Sequence, residues 1–147
     1  MREINSMIAS IHASGLDAAL KVALPGKCFG LSTYGPARPI SIWLDNATTG
    51  ADDTTAQNVI SAHDPVFLTV DRTTIKADNA DAATITVSAP KANAAPVTLL
   101  FGGNAAPLTL VGGIGTLQIT SAAPTIITIS VQNPQNRTSD TLSIEAI

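Results

Sequence analysis

With 147 residues, 45% of them hydrophobic and only 13% charged, the chain can bury one core or two small ones and is too apolar to be disordered. A net charge of −3, with 8 Lys and Arg against 11 Asp and Glu and no basic run interleaved with aromatics, removes the counterion-release basis for binding nucleic acid. No stretch approaches the ~18 consecutive apolar residues of a membrane-spanning helix, and the single cysteine, Cys28, excludes an intrachain disulfide and a multi-cysteine zinc site. Cys28 reads first as a small buried hydrophobe and only second as a reactive thiol. The N-terminal fifteen residues carry Glu3, Asn5 and His12 where a secretory leader needs an apolar run. Synthesis and folding in a reducing bacterial cytosol is therefore the expectation.

In chain order, the first predicted element is a helix over residues 2–14. Ile4, Met7, Ile8 and Ile11 stand at the i, i+3, i+4, i+7 spacing of one helical face, and Gly15 sits where helices often end. Three strands follow, over 19–24, 28–33 and 40–44, separated by Pro25-Gly26 and by Tyr34-Gly35-Pro36. In the third, Ile40, Ile42 and Leu44 alternate with Ser41 and Trp43, which puts Trp43 on the opposite face. There it either covers the first helix or marks an interface. A second helix is predicted over 54–62, with Asp52 and Asp53 favourable at its N-terminus, Ala56, Val59 and Ile60 as its apolar side, and Pro65 ending it.

After Pro65 the texture changes, and the domain boundary is placed there: a small α+β docking domain over 1–65 and a β domain over 66–147. Short β runs are predicted over 66–70, 73–77, 84–88, 97–101, 108–111, 116–120, 126–131 and 141–146. Between them lie Ala89-Pro90-Lys91, Gly102-Gly103-Asn104, Gly112-Gly113 and Asn133-Pro134-Gln135-Asn136, all rich in turn residues. The fold class expected is mainly β: an Ig-like antiparallel β-sandwich of seven or eight strands in the C-terminal part, preceded by the small α+β docking segment.

Residues 70–89, VDRTTIKADNADAATITVSA, carry the clearest likeness. They resemble the opening of the invasin and intimin type of bacterial Ig-like repeat, where D-x-T-x-I-x-A-D-G-x-D-x-A-T-I-T-V recurs. Asn79 stands where that pattern has Gly, and Asn also accepts positive φ. The likeness implies a sandwich that binds or bridges. A second likeness covers about ten residues, Ala56 to Pro65, which resemble an A-x-x-V-I-x-A-H-D-P helix end of small bacteriophage tail proteins.

No constellation of catalytic, cofactor or metal residues emerges. His12 and His63 lie in different elements, and Cys28 has no nucleophile motif around it. Asp78 with Asp81, or Asp45 with Asp52 and Asp53, could be imagined as calcium ligands, yet two or three acids in a loop more often cap turns. The glycine pairs lack the helix and Lys of a phosphate loop. The function expected is a non-enzymatic structural subunit of a bacteriophage virion, capsid-decorating or tail, located in the particle. Its partners would be other capsid or tail subunits and copies of itself, with the host surface a further option. Ile4, Ile8, Ile11, Tyr34 and Trp43 are the candidate interface residues. The alternative is a bacterial cell-surface adhesin or filament module.

Overall fold

The computed structural model describes residues 1–6, 11–33, 40–91, 96–132 and 137–147. The chain divides into two compact units, Met1–His63 and Asp64–Ile147, each with its own hydrophobic core.

Unit 1 runs β1 (Arg2–Ser6), α1 (Ala13–Ala23), β2 (Cys28–Thr33), β3 (Ile40–Leu44) and α2 (Gly50–Ala62). Its sheet has the order β1-β3-β2, antiparallel throughout. The predicted helix over 2–14 is contradicted by the described residues: Arg2–Ser6 is a strand, and α1 begins only at Ala13; Met7 and Ile8 lie outside the described residues. The physical reason lies in pairing. Ile4 registers with Ile42 on the central strand and packs on the core from there, a long-range gain that outweighs the helical spacing of four apolar residues. Residues 19–24 were expected as a strand but lie largely within α1. Ala, Leu and Lys are strong helix formers, and Leu16, Leu20 and Leu24 recur every fourth residue on the buried side. Gly15 consequently sits in the first turn of α1 rather than past a helix end.

The second helix starts four residues earlier than expected, because Thr49 is its N-cap and Asp52 reaches back to the Thr49 backbone N–H at 2.8 Å. Ala56 and Ile60 face the core, which Ile40, Ile42 and Leu44 share from the sheet. Both helices therefore pack on one face of β1-β3-β2.

Unit 2 contains β4 (Asp64–Pro65), β5 (Phe67–Val70), β6 (Thr74–Ile75), β7 (Ala83–Ser88), β8 (Val97–Phe101), β9 (Asn104–Leu108), β10 (Ile114–Ile119), β11 (Thr125–Val131), β12 (Arg137–Thr138) and β13 (Leu142–Ala146). Two sheets, β10-β7-β5 and β6-β13-β11-β8-β9, form the Ig-like sandwich, and β4 pairs with β12 in a short parallel ladder. Alternation does the sorting. Ala83, Ile85 and Val87 on β7 are buried while Thr84, Thr86 and Ser88 are half-exposed, and Ile129, Ile144, Leu99 and Val97 meet them from the other sheet.

Phe67 and Phe101 are only half-buried, so the fully buried core is aliphatic. One predicted strand is misplaced: residues 104–108 are the strand, where 108–111 was expected. Gly102 and Gly103, at φ 53° and 81°, make a two-residue hairpin turn by themselves. Pro107 is tolerated because β9 is an edge strand. Gly115 belongs to β10 for a packing reason, since a Cβ there would come within 2.9 Å of Leu110 and 3.0 Å of Leu108.

Candidate functional site

The strongest candidate surface in unit 1 is the sheet face turned away from both helices. Register places Glu3, Trp43 and Gly30 in one row across the three strands, and Asn5, Ser41 and Ser32 in the next. Trp43 is half-buried, and its Nε1–H donates to Ser32 Oγ at 3.1 Å. Ser41 is buried and donates to Asn5 Oδ1 at 3.0 Å. Because the helices lie on the opposite face, Trp43 does not cover the first helix. Among the described residues, these two rows present Glu3, Asn5, Ser41 and Ser32 around the Trp43 indole.

The other candidate interface residues fare differently. Ile4 and Ile11 are half-buried and packed against the unit 1 core, so both contribute chiefly to stability. Ile8 and Tyr34 lie outside the described residues. The larger exposed apolar side chains stand elsewhere, among them Phe29 on β2, Ile114 on β10 and Ile126 on β11. Sequence alternation missed Phe29 because Gly30 interrupts it: the register shifts between Cys28 and Gly30.

The acids are engaged locally. Arg2 grips both Asp53 oxygens, Oδ2 at 2.8 Å, and also donates to Thr48 Oγ1 at 2.6 Å. This guanidinium holds the Asp53 carboxyl below its ordinary range. Lys27 donates to Asp52 at 2.8 Å, and together with the Thr49 N–H it draws Asp52 from 3.8 down to about 2. In unit 2 Asp78 Oδ1 accepts the backbone N–H groups of Asp81 and Ala80 at 2.8 and 2.9 Å, which lowers its pKa. Asp81 accepts from the Lys76 backbone at 2.9 Å and from Arg72 at 3.2 Å. Asp45 closes its own turn on the Ala47 N–H at 2.7 Å. Turn and helix-end duty thus occupies the carboxylates that calcium would have needed. Among the described residues no group of three or more His, Cys, Asp or Glu is placed to hold a metal.

Cys28 is buried and free, and burial is the first cause that pushes its thiol up, away from the reactive thiolate. Lys21 Nζ donates to Asp17 Oδ2 at 2.6 Å. In unit 2 an open cleft of about 370 Å³ lies at the mouth of the sandwich, bounded by Phe101, Asn104, Leu117, Ile119 and Ile127. No sequence motif pointed to it, because its walls come from four separate strands and the turns beside them.

The histidines hold the main surprise. His12 and His63 stand 51 positions apart, yet the His12 backbone N–H donates to His63 Nε2 at 3.0 Å. Both side chains are buried.

Fold and site together define the class: an Ig-like β-sandwich joined to a small α+β unit with its own core. A solved structure described as the D00-D0 domain of Intimin aligns with 98% of this chain and 84% of its own, at 15% identity and a TM-score of 0.43. The fold assignment rests on the sheets and their register, not on that alignment. No protein-family model and no curated protein matches the chain.

Proposed function

We propose that the chain is a non-enzymatic structural module of the bacterial surface adhesin or filament type, in which the sandwich serves as a rigid body and unit 1 makes contact through its Trp43 face. One observation carries the reading. The residues that resemble the opening of an invasin and intimin type repeat form a short strand, Thr74–Ile75, a turn, and a longer strand, Ala83–Ser88. Asn79, standing where that pattern has Gly, adopts φ 58°, and the neighbouring Asp78 and Asp81 are spent on the turn. Pattern and geometry thus agree at Asn79 and in the alternation of β7.

The virion setting loses its footing by comparison. The ten residues that suggested it have local work: Ala56 and Ile60 fill the unit 1 core, His63 caps α2, and Asp64–Pro65 pairs with β12. None of the comparisons supports that setting. A weakly charged surface with edge strands at both sheets suits contact with proteins or with further copies of the module, each contact weak and multiplied by repetition.

The deciding experiment is antibody labelling of intact cells that produce the chain, with and without external protease. Labelling that protease removes from unbroken cells is the expected result. Labelling only after lysis, together with stoichiometric recovery in purified phage particles, would overturn the surface reading and restore the virion one. On cells that label, Trp43→Ala is expected to weaken attachment without loss of the folded chain.

A further inference from the structure

We infer that unit 1 carries an acid-sensitive clasp, a buried histidine pair that is closed at neutral pH and opens when His63 takes up a second proton. A backbone N–H can only donate, so the 3.0 Å contact from the His12 N–H requires a lone pair on His63 Nε2. The closed form therefore holds His63 as a neutral imidazole, at 4% exposure. Imidazolium has no acceptor nitrogen; proton uptake at His63 would set one N–H against another in a buried position.

The clasp sits where two helix ends meet. His12 is the N-cap of α1: its ring takes the Gly15 N–H and its carbonyl takes the Leu16 N–H at 2.9 Å. His63 is the C-cap of α2, with its own N–H on the Ile60 carbonyl at 3.2 Å. Opening the contact frees the start of one helix from the end of the other.

Among the described residues the charged groups of the surrounding elements are few. On α1 they are Asp17 and Lys21, paired with each other. On α2 they are Asp52 and Asp53 in the first turn, at the far end of the helix and held by Lys27 and Arg2. β1 adds Glu3, which is exposed, and Asp64 follows His63 in the chain. The C-terminal carbonyls of α2 favour positive charge at position 63, while burial and the acceptor role oppose it. Because the open form binds the extra proton and the closed form does not, stability rises with pH, and the clasp weakens as pH falls below the ordinary histidine value of about 6.5.

Trp43 makes the test direct, since it is the chain's single Trp and belongs to unit 1. Denaturation of the full chain, followed by Trp43 fluorescence, is compared at about pH 7.5 and about pH 5 for the wild type and for His63→Gln, which keeps a neutral acceptor. The wild type is expected to lose up to about 30-fold in the folding equilibrium of unit 1 over that range, the most that one site with an ordinary value near 6.5 can give. His63→Gln is expected to lose less than half as much on a logarithmic scale.

A second measurement uses the wild type alone. In an NMR titration, exchange protection of the His12 amide should fall in step with protonation of the His63 ring. Equal pH dependence in the wild type and His63→Gln overturns the clasp. So does a His12 amide that stays protected while His63 titrates.

Discussion

The two units bury their cores by different means. Unit 1 ties its elements together with side chains that reach across the sequence: Arg2 to Asp53, Lys27 to Asp52, and His12 to His63. Unit 2 uses its described polar side chains mostly close to home, on the turn around Asp78 and Asp81 and on strand ends such as Asp71, which accepts the Thr84 N–H at 2.8 Å; the Thr120 hydroxyl, donating to Asn79 Oδ1 at 3.2 Å, is a longer-range exception. Its interior is left to Ile, Leu, Val and Ala. A unit held by long-range polar ties responds to pH and to single charge changes. One held by aliphatic interdigitation responds mainly to lost volume.

The largest expected effect tests whether the cores are separate. Ile42→Ala removes a fully buried side chain from unit 1 and should cost about 2–5 kcal/mol in the transition reported by Trp43. Leu99→Ala should cost a similar amount in unit 2, read by hydrogen exchange of β8 and β11, while the Trp43 transition stays in place. If each substitution moved both units equally, the contrast would be broken.

A smaller effect is expected at Asn79, the one described non-glycine residue with positive φ. Asn79→Val should destabilise unit 2 by about 1–2 kcal/mol because a β-branched side chain is strained there. Asn79→Gly should remain within about 0.5 kcal/mol of the parent, since Gly adopts that backbone freely. Thermal melts of the three proteins check the ranking.

The smallest effect sharpens the electrostatic half of the contrast. Asp52 has a folded value of about 2 against an ordinary 3.8, so the unfolded chain takes up the proton first. Its stabilisation is complete above pH 3.8 and disappears as pH falls toward 2. Asp52→Asn should flatten the acid limb of the Trp43 transition and leave the unit 2 strands unchanged. An unaltered acid limb would show that the Lys27 contact is fully screened by solvent.

The same contrast explains what could be read in advance. Strands β7, β8, β11 and β13 were legible because period-two alternation and the turn residues between them are local signals. β9 was misplaced because Pro107 counts against a strand unless its edge position is known. In unit 1, Arg2–Ser6 misled because Ile4 has two possible lives, and only the distant partner Ile42 selects the extended one. The α1 start was hidden for a related reason: its N-cap is a histidine instead of the usual Ser, Thr, Asp or Asn. No spacing rule links His12 with His63. For Trp43, alternation correctly predicted a position off the aliphatic face, but the choice of what it faces required the location of both helices.

The two cores are built separately, and residue-resolved hydrogen exchange of the whole chain in rising denaturant tests this most directly. Slow amides around Leu16, Leu20 and Ile42 should converge on one opening isotherm, and those around Ile85, Leu99, Ile129 and Ile144 on another, with the division falling at His63 and Asp64. Between about pH 7.5 and about pH 5 only the first isotherm should shift. A single isotherm shared by both groups, moving as one with pH, would contradict the account.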